Sequence, residues 1–158
     1  MAKLLLAFMG RAQYKTSSWD DYAFMVWLWG ASRTGKTLVN FTLSQFFPRS
    51  SVVEMTTQGE TTFGKEALIN KSLIWFTDPK KPKNGAGFPI EVSELQTLIE
   101  GGRTSVPRKN KSALNNHLLN GAAIADSNKK PAKANSSFMR VDENSHSSFN
   151  FGAYSAYN

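Results

Sequence analysis

One eight-residue stretch, Gly30-Ala31-Ser32-Arg33-Thr34-Gly35-Lys36-Thr37, limits this chain more than any other feature. Ahead of it lies Tyr22–Trp29, a continuous apolar and aromatic run too short for a free-standing helix, which predicts a buried strand. Behind it, Leu38, Val39, Phe41, Leu43, Phe46 and Phe47 recur at helical spacing until Pro48, which predicts a helix over Lys36–Phe47. A strand, a glycine loop and a helix in that order make a cradle for phosphate. The loop's N–H groups and the positive end of the helix face the same anion. Gly30 and Gly35 stand where a side chain would obstruct the turn. The pattern G-x-x-x-x-G-K-[ST] is matched in full. It casts Lys36 as the cation that reaches the β- and γ-phosphates and Thr37 as the hydroxyl offered to Mg²⁺. The whole loop is the candidate nucleotide site, with ATP and Mg²⁺ as the natural ligands. The plain alternative is an inert glycine turn.

The rest of the chain reads as α/β. Strands are predicted over Ser51–Met55, Leu73–Thr77 and Ala122–Asp126, and helices over Glu91–Glu100 and Ser112–Leu119. Gly101-Gly102 closes the first of these helices. Leu4–Met9 suggests an initiating amphipathic helix. Alternation of this kind implies a mostly parallel sheet covered on both faces, and the glycine loop makes the expected fold a P-loop NTPase. The 158 residues suffice for one domain. Residues 1–21 are expected to form a helical or extended lead-in, 22–143 the core and 144–158 a poorly ordered or weakly structured tail. Residues 79–89 and 127–137 read as long polar connections. Cysteine is absent, which excludes thiol catalysis and thiolate zinc, and His117 and His146 are too few for a three-histidine centre. No apolar run approaches the roughly 20 residues a bilayer needs. The expected setting is intracellular, with no membrane partner.

A triphosphatase also needs an acid at the end of a neighbouring strand. Asp78 meets that need after Leu73–Thr77, 42 residues beyond Lys36, unless it merely ends the strand as an Asp-Pro turn. The position before it is Thr77, whose hydroxyl is no carboxylate. Glu54, Glu91 and Glu94 are the remaining acids that could fold back.

Positive charge is concentrated. Residues 1–100 carry a net +2, residues 101–140 a net +7 and the tail −2. Such a block attracts a polyanion, although scattered lysines also serve as a solvated face.

Taken together, the chain from about Val26 to Arg140 resembles the ATPase core of the superfamily 3 helicases. These are the AAA+-like replication proteins of small DNA viruses and plasmid-like elements. Trp75-Phe76-Thr77-Asp78 is similar to that family's aromatic strand ending in paired acids, with Thr77 departing from the pair. Leu95–Lys109 is similar to its helix, glycine and basic stretch. Ala122-Ala123-Ile124-Ala125-Asp126-Ser127-Asn128, with Pro131 behind it, is similar to its strand ending in Ser-Asn, Asp126 being a slight departure.

The resemblance implies a three-layer AAA+-like domain in a homo-oligomeric ring, possibly hexameric, hydrolysing ATP between subunits. Asp78 would hold Mg²⁺ and Asn128 would orient water. Arg140 would serve the neighbouring subunit's site. Arg103, Arg108, Lys109 and Lys111 would contact single-stranded nucleic acid, DNA ahead of RNA. If the protein is viral, its place is the host nucleus or cytoplasm. The chain would then be a bare motor core, without the origin-binding or primase module that usually precedes it. Two other readings stay open: a small P-loop nucleoside or nucleotide kinase, and a catalytically weak nucleotide-binding module that binds or packages nucleic acid.

Overall fold

Strand β1 (Phe24–Gly30) is apolar along its length because both of its faces are covered. Met25 and Trp27 pack into one core cluster, Val26 and Leu28 into another on the opposite face. The computed structural model describes residues 2–16, 18, 23–56, 64–79, 90, 92–128, 138–140 and 149–155, the last two segments as backbone. The other elements are helices α1 (Ala2–Arg11), α2 (Lys36–Ser44) and α3 (Val92–Glu100), with strands β2 (Val52–Thr56), β3 (Leu73–Thr77), β4 (Arg103–Arg108), β5 (Lys111–Leu118), β6 (Ala122–Ser127), β7 (Phe138–Arg140) and β8 (Phe149–Ser155).

Six strands form one sheet in the order β2-β3-β6-β1-β8-β7. The pairs β2/β3, β3/β6 and β6/β1 are parallel, whereas β8 runs antiparallel to both β1 and β7. The molecule is therefore α/β with a mostly parallel central sheet. Phe8 of α1 and Leu43 of α2 pack on the Val26, Leu28, Leu73 and Ile124 face. Leu95, Leu98 and Ile99 of α3 pack on the other, against Ile74, Phe76, Ala123 and Ala125. Among the described residues no helix is long and apolar enough to cross a membrane.

Helix α2 ends earlier than its apolar spacing predicts. After Ser44 the N–H groups of Gln45, Phe46 and Phe47 bond three residues back, so the last turn tightens ahead of Pro48. Helix α3 closes on the expected glycines: Gly102 N–H bonds Thr97 O at 2.7 Å and Gly101 N–H bonds Leu98 O at 3.2 Å.

Two expectations fail. The segment Ser112–Leu119 is not a helix but most of β5, paired with β4 in an antiparallel hairpin. Leu114, Leu118 and Leu119 carry a helical spacing, yet the Lys109-Asn110 turn, with Asn110 at φ +58°, joins two strands. Residues 149–155, expected within a poorly ordered or weakly structured tail, form β8 and pair with β1 from Phe24 to Gly30. They include the short aromatic run of that tail. Most of the two polar connections, residues 80–89 and 129–137, lies outside the described residues.

Strand β6 enters the sheet through a close approach. Ala122 N–H bonds Ser72 O at 2.8 Å, and a Cβ on Gly121 would lie 2.6 Å from Lys71 O. A backbone carbonyl cannot rotate away as a side chain does. Gly121→Ala is expected to cost about 1–3 kcal/mol of stability, read as a lower urea midpoint with an unchanged slope.

Candidate functional site

The glycine loop leaves the end of β1 and turns into α2 through two residues of left-handed backbone, Arg33 at φ +66° and Gly35 at φ +90°. Left-handed residues alternating with right-handed ones turn neighbouring N–H groups towards one side, which makes an anion-binding concavity. Lys36 is only 6% exposed. Its ammonium folds back on its own loop, donating to Gly30 O at 3.0 Å, Ala31 O at 2.7 Å and, more weakly, Thr34 Oγ1 at 3.4 Å. Thr34 Oγ1 in turn donates to Ala31 O at 2.9 Å. The loop is thus braced from within. Thr37 stands exposed in the first turn of α2.

A pocket of about 310 Å³ opens above the carboxyl ends of three parallel strands. Residues Arg33 to Thr37 form one wall, Asp78 beyond β3 another, and Asp126, Ser127 and Asn128 at the end of β6 the third. Gly30, Ala31 and Ser32 are outside this lining, although the carbonyls of Gly30 and Ala31 hold Lys36. The predicted loop, Asp78 and Asn128 therefore converge on one cavity. Open parallel sheets bind ligands at this place, outside the carboxyl ends of the strands.

Thr77 is engaged elsewhere. Its hydroxyl donates to Glu54 Oε1 at 2.6 Å, on the β2 side of β3 and away from the loop. Glu94 is paired with Lys65. Neither Glu54 nor Glu94 lines the pocket, and Glu91 lies outside the described residues. The acid that does line it is Asp126, which the sequence offered only as a departure inside a strand. It lies two residues after Ile124 and so on the same face of β6, a period-two signal present in the sequence. Trp75 Nε1–H donates to Asp126 Oδ1 at 2.9 Å, and Asp78 N–H donates to Asp126 O at 2.8 Å. Ser127 points to the other face, where its Oγ accepts from Trp27 Nε1 at 2.9 Å.

Burial pushes the Asp126 carboxyl above the usual carboxylate range. The Trp75 hydrogen bond and the Lys36 ammonium pull it down, whereas Asp78 and Glu54 add to the rise. Among the described residues no cluster of three or more His, Cys, Asp or Glu could hold a metal unaided.

The basic candidates stand apart from the pocket, on the hairpin. Arg103, Lys109 and Lys111 are exposed and Arg108 is half-buried. Arg103 and Arg108 brace the hairpin across its strands, through Asn116 O at 2.8 Å and Ser112 O at 2.9 Å. At its tip, Lys109 N–H donates to Glu66 Oε2 at 3.0 Å, which leaves the Lys109 ammonium free of that bond. Residues 101–118 contain no acid. Arg140 ends β7 opposite Gly152, two strands beyond β1 at the outer edge of the sheet.

Compared with known proteins, the chain matches no family model, and no curated protein is significantly similar to it.

A carboxyl raised above its unfolded value of 3.8 makes the native state hold its proton more tightly. Asp126 then weakens the fold progressively as pH rises above 3.8, in full once pH exceeds its native value, and has no such effect below 3.8. Without divalent cation, Asp126→Asn should raise the melting temperature at pH 7. That gain should shrink to nothing as the pH is lowered below 3.8, as followed by circular dichroism.

Proposed function

We propose that this chain is an ATP-dependent translocase of single-stranded nucleic acid, built as a P-loop NTPase of the AAA+-like kind to which superfamily 3 helicases belong. The observation that carries the reading is the convergence of the glycine loop, Asp78 and Asn128 on one pocket at the carboxyl ends of β1, β3 and β6. In support stands the basic hairpin, which lies in the chain between the Asp78 strand and the Asn128 strand, the order found in that family.

The residues have separable tasks. Loop N–H groups take the phosphate oxygens, and Lys36 exchanges the carbonyls of Gly30 and Ala31 for the β- and γ-phosphates. That exchange replaces neutral acceptors with charged ones, which makes the stronger bond. Thr37 and Asp78 would hold Mg²⁺, which when bound neutralises charge developing on the phosphoryl oxygens. Asn128 orients the attacking water, whose oxygen bonds to the γ-phosphorus as the bond to the ADP oxygen breaks. The products are ADP, inorganic phosphate and a proton. Arg140, on an edge strand, would serve the pocket of a neighbouring copy in a ring. The hairpin cations would follow a phosphate backbone without reading its sequence.

A second reading is favoured by one observation. Thr77, tied to Glu54, stands where the family carries an acid, which suits a module that binds nucleotide and nucleic acid but turns over weakly.

Phosphate release measured with and without single-stranded DNA or RNA tests both. Strong stimulation by polynucleotide is expected of the translocase, binding without turnover of the weaker module. Lys36→Ala should abolish nucleotide hydrolysis, and unchanged turnover would remove the nucleotide site. Lys109→Ala should weaken binding of a labelled oligothymidylate and lower the slope of log K against log[salt] by about 0.7, the share of one single-strand phosphate contact. Nucleotide affinity should stay as it was. An unaltered slope in anisotropy titrations would remove the hairpin from the nucleic-acid path.

A further inference from the structure

We propose that the second acid missing from β3 is supplied by Asp126 of β6, so that the pair of carboxylates at the pocket is split over two adjacent strands. This inference rests on reading the pocket as a nucleoside-triphosphate site and adds a residue to it.

The strand order places Asp126 favourably. β6 lies between β3 and β1, so a side chain at its end stands one strand nearer the glycine loop than any on β3. Thr77 and Asp126 are register partners, and parallel neighbours are about 4.8 Å apart. An acid moved from Thr77 to Asp126 therefore stays at the same level of the sheet and shifts sideways by one strand. Faces agree as well. Ile124 packs with Leu43 beneath α2, so Asp126, two residues on, faces the side from which Lys36 and Thr37 emerge.

The carboxylate is also held in place. Trp75 donates to Oδ1 and fixes the side chain of a residue that lines the pocket. The bond from Asp78 N–H to Asp126 O locks the two acids' backbones together. Asp78 itself sits at φ +43°, a left-handed turn that a non-glycine residue adopts at a cost of about 1–3 kcal/mol. Thr77 and Glu54 satisfy one another on the far side of β3, and neither lines the pocket. With Asp126 counted, the cavity has two carboxylates beside the Thr37 hydroxyl, a donor set suited to a hydrated magnesium ion on phosphates.

The test is the affinity of a fluorescent non-hydrolysable ATP analogue for the full chain, with Mg²⁺ and with EDTA. The wild type should bind more tightly with Mg²⁺. Asp126→Asn keeps the shape and the acceptor for Trp75; its affinity in EDTA should be no weaker than the wild type's, since a carboxylate facing the phosphates is removed, and a cooperative melt followed by circular dichroism checks that it folds. Its gain from Mg²⁺ should fall by about 10–100-fold. Adding Thr77→Asp to that variant returns an acid to β3 and should restore part of the gain. An Asp126→Asn chain with the wild-type response to Mg²⁺ overturns the proposal. So does a double variant that melts like the wild type but recovers nothing. If instead the wild type binds the analogue under neither condition, the nucleotide reading itself falls and takes this inference with it.

Discussion

A parallel strand hydrogen-bonded on both sides has its register set twice, and β6 is such a strand. Ile124 is opposite Trp75 on one side and Val26 on the other, so β3, β6 and β1 are locked level with one another. Their carboxyl ends then come out together, and the polar residues that end each strand are gathered into one place. A slip of one residue would turn Asp126 to the α3 face and bring Ser127 beneath α2. The small side chains of Ala122, Ala123 and Ala125 keep this central strand thin enough for the helical layers to pack over it.

The same strand joins the two chemically distinct regions of the molecule. The hairpin closes with Leu119 N–H bonded to Gly102 O at 2.9 Å, and β6 begins within a few residues. Its six residues, about 20 Å of stiff backbone, end at the pocket. The hairpin tip is held in turn by Glu66, whose neighbour Lys65 pairs with Glu94 of α3. That ion pair is partly exposed and worth no more than about 1 kcal/mol. Basic arm and pocket are thus linked by a rigid element on one side and by weak contacts on the other.

Much of this was legible in the residues, for physical reasons that also mark where legibility stopped. The glycine loop, β1 and α2 declare themselves because loop chemistry and both periodicities agree within one continuous segment. β3 and β6 are short apolar runs with clear ends. The hairpin was misread because β5 buries little: Lys111, Ser112, Ala113, Asn115 and Asn116 are exposed, so no core face imposed a period-two pattern. Asp126 was passed over because its value depends on a neighbour 49 residues earlier, Thr77, and on strand order that no local pattern carries. Here the resemblance to the replication helicases directed attention to β3 and away from the strand beside it.

Strand β8 has a consequence for how this chain comes together. The glycine loop hangs from β1, and one edge of β1 is closed only by residues 149–155, more than a hundred positions later in synthesis. Until they arrive, a strand apolar on both faces presents an unpaired ladder of N–H and C=O groups, the kind of template that recruits other chains. Contacts of such sequence separation form slowly. A ribosome releasing this protein, or a cell making it in excess, would meet its greatest risk of misassembly in the interval before that last strand docks.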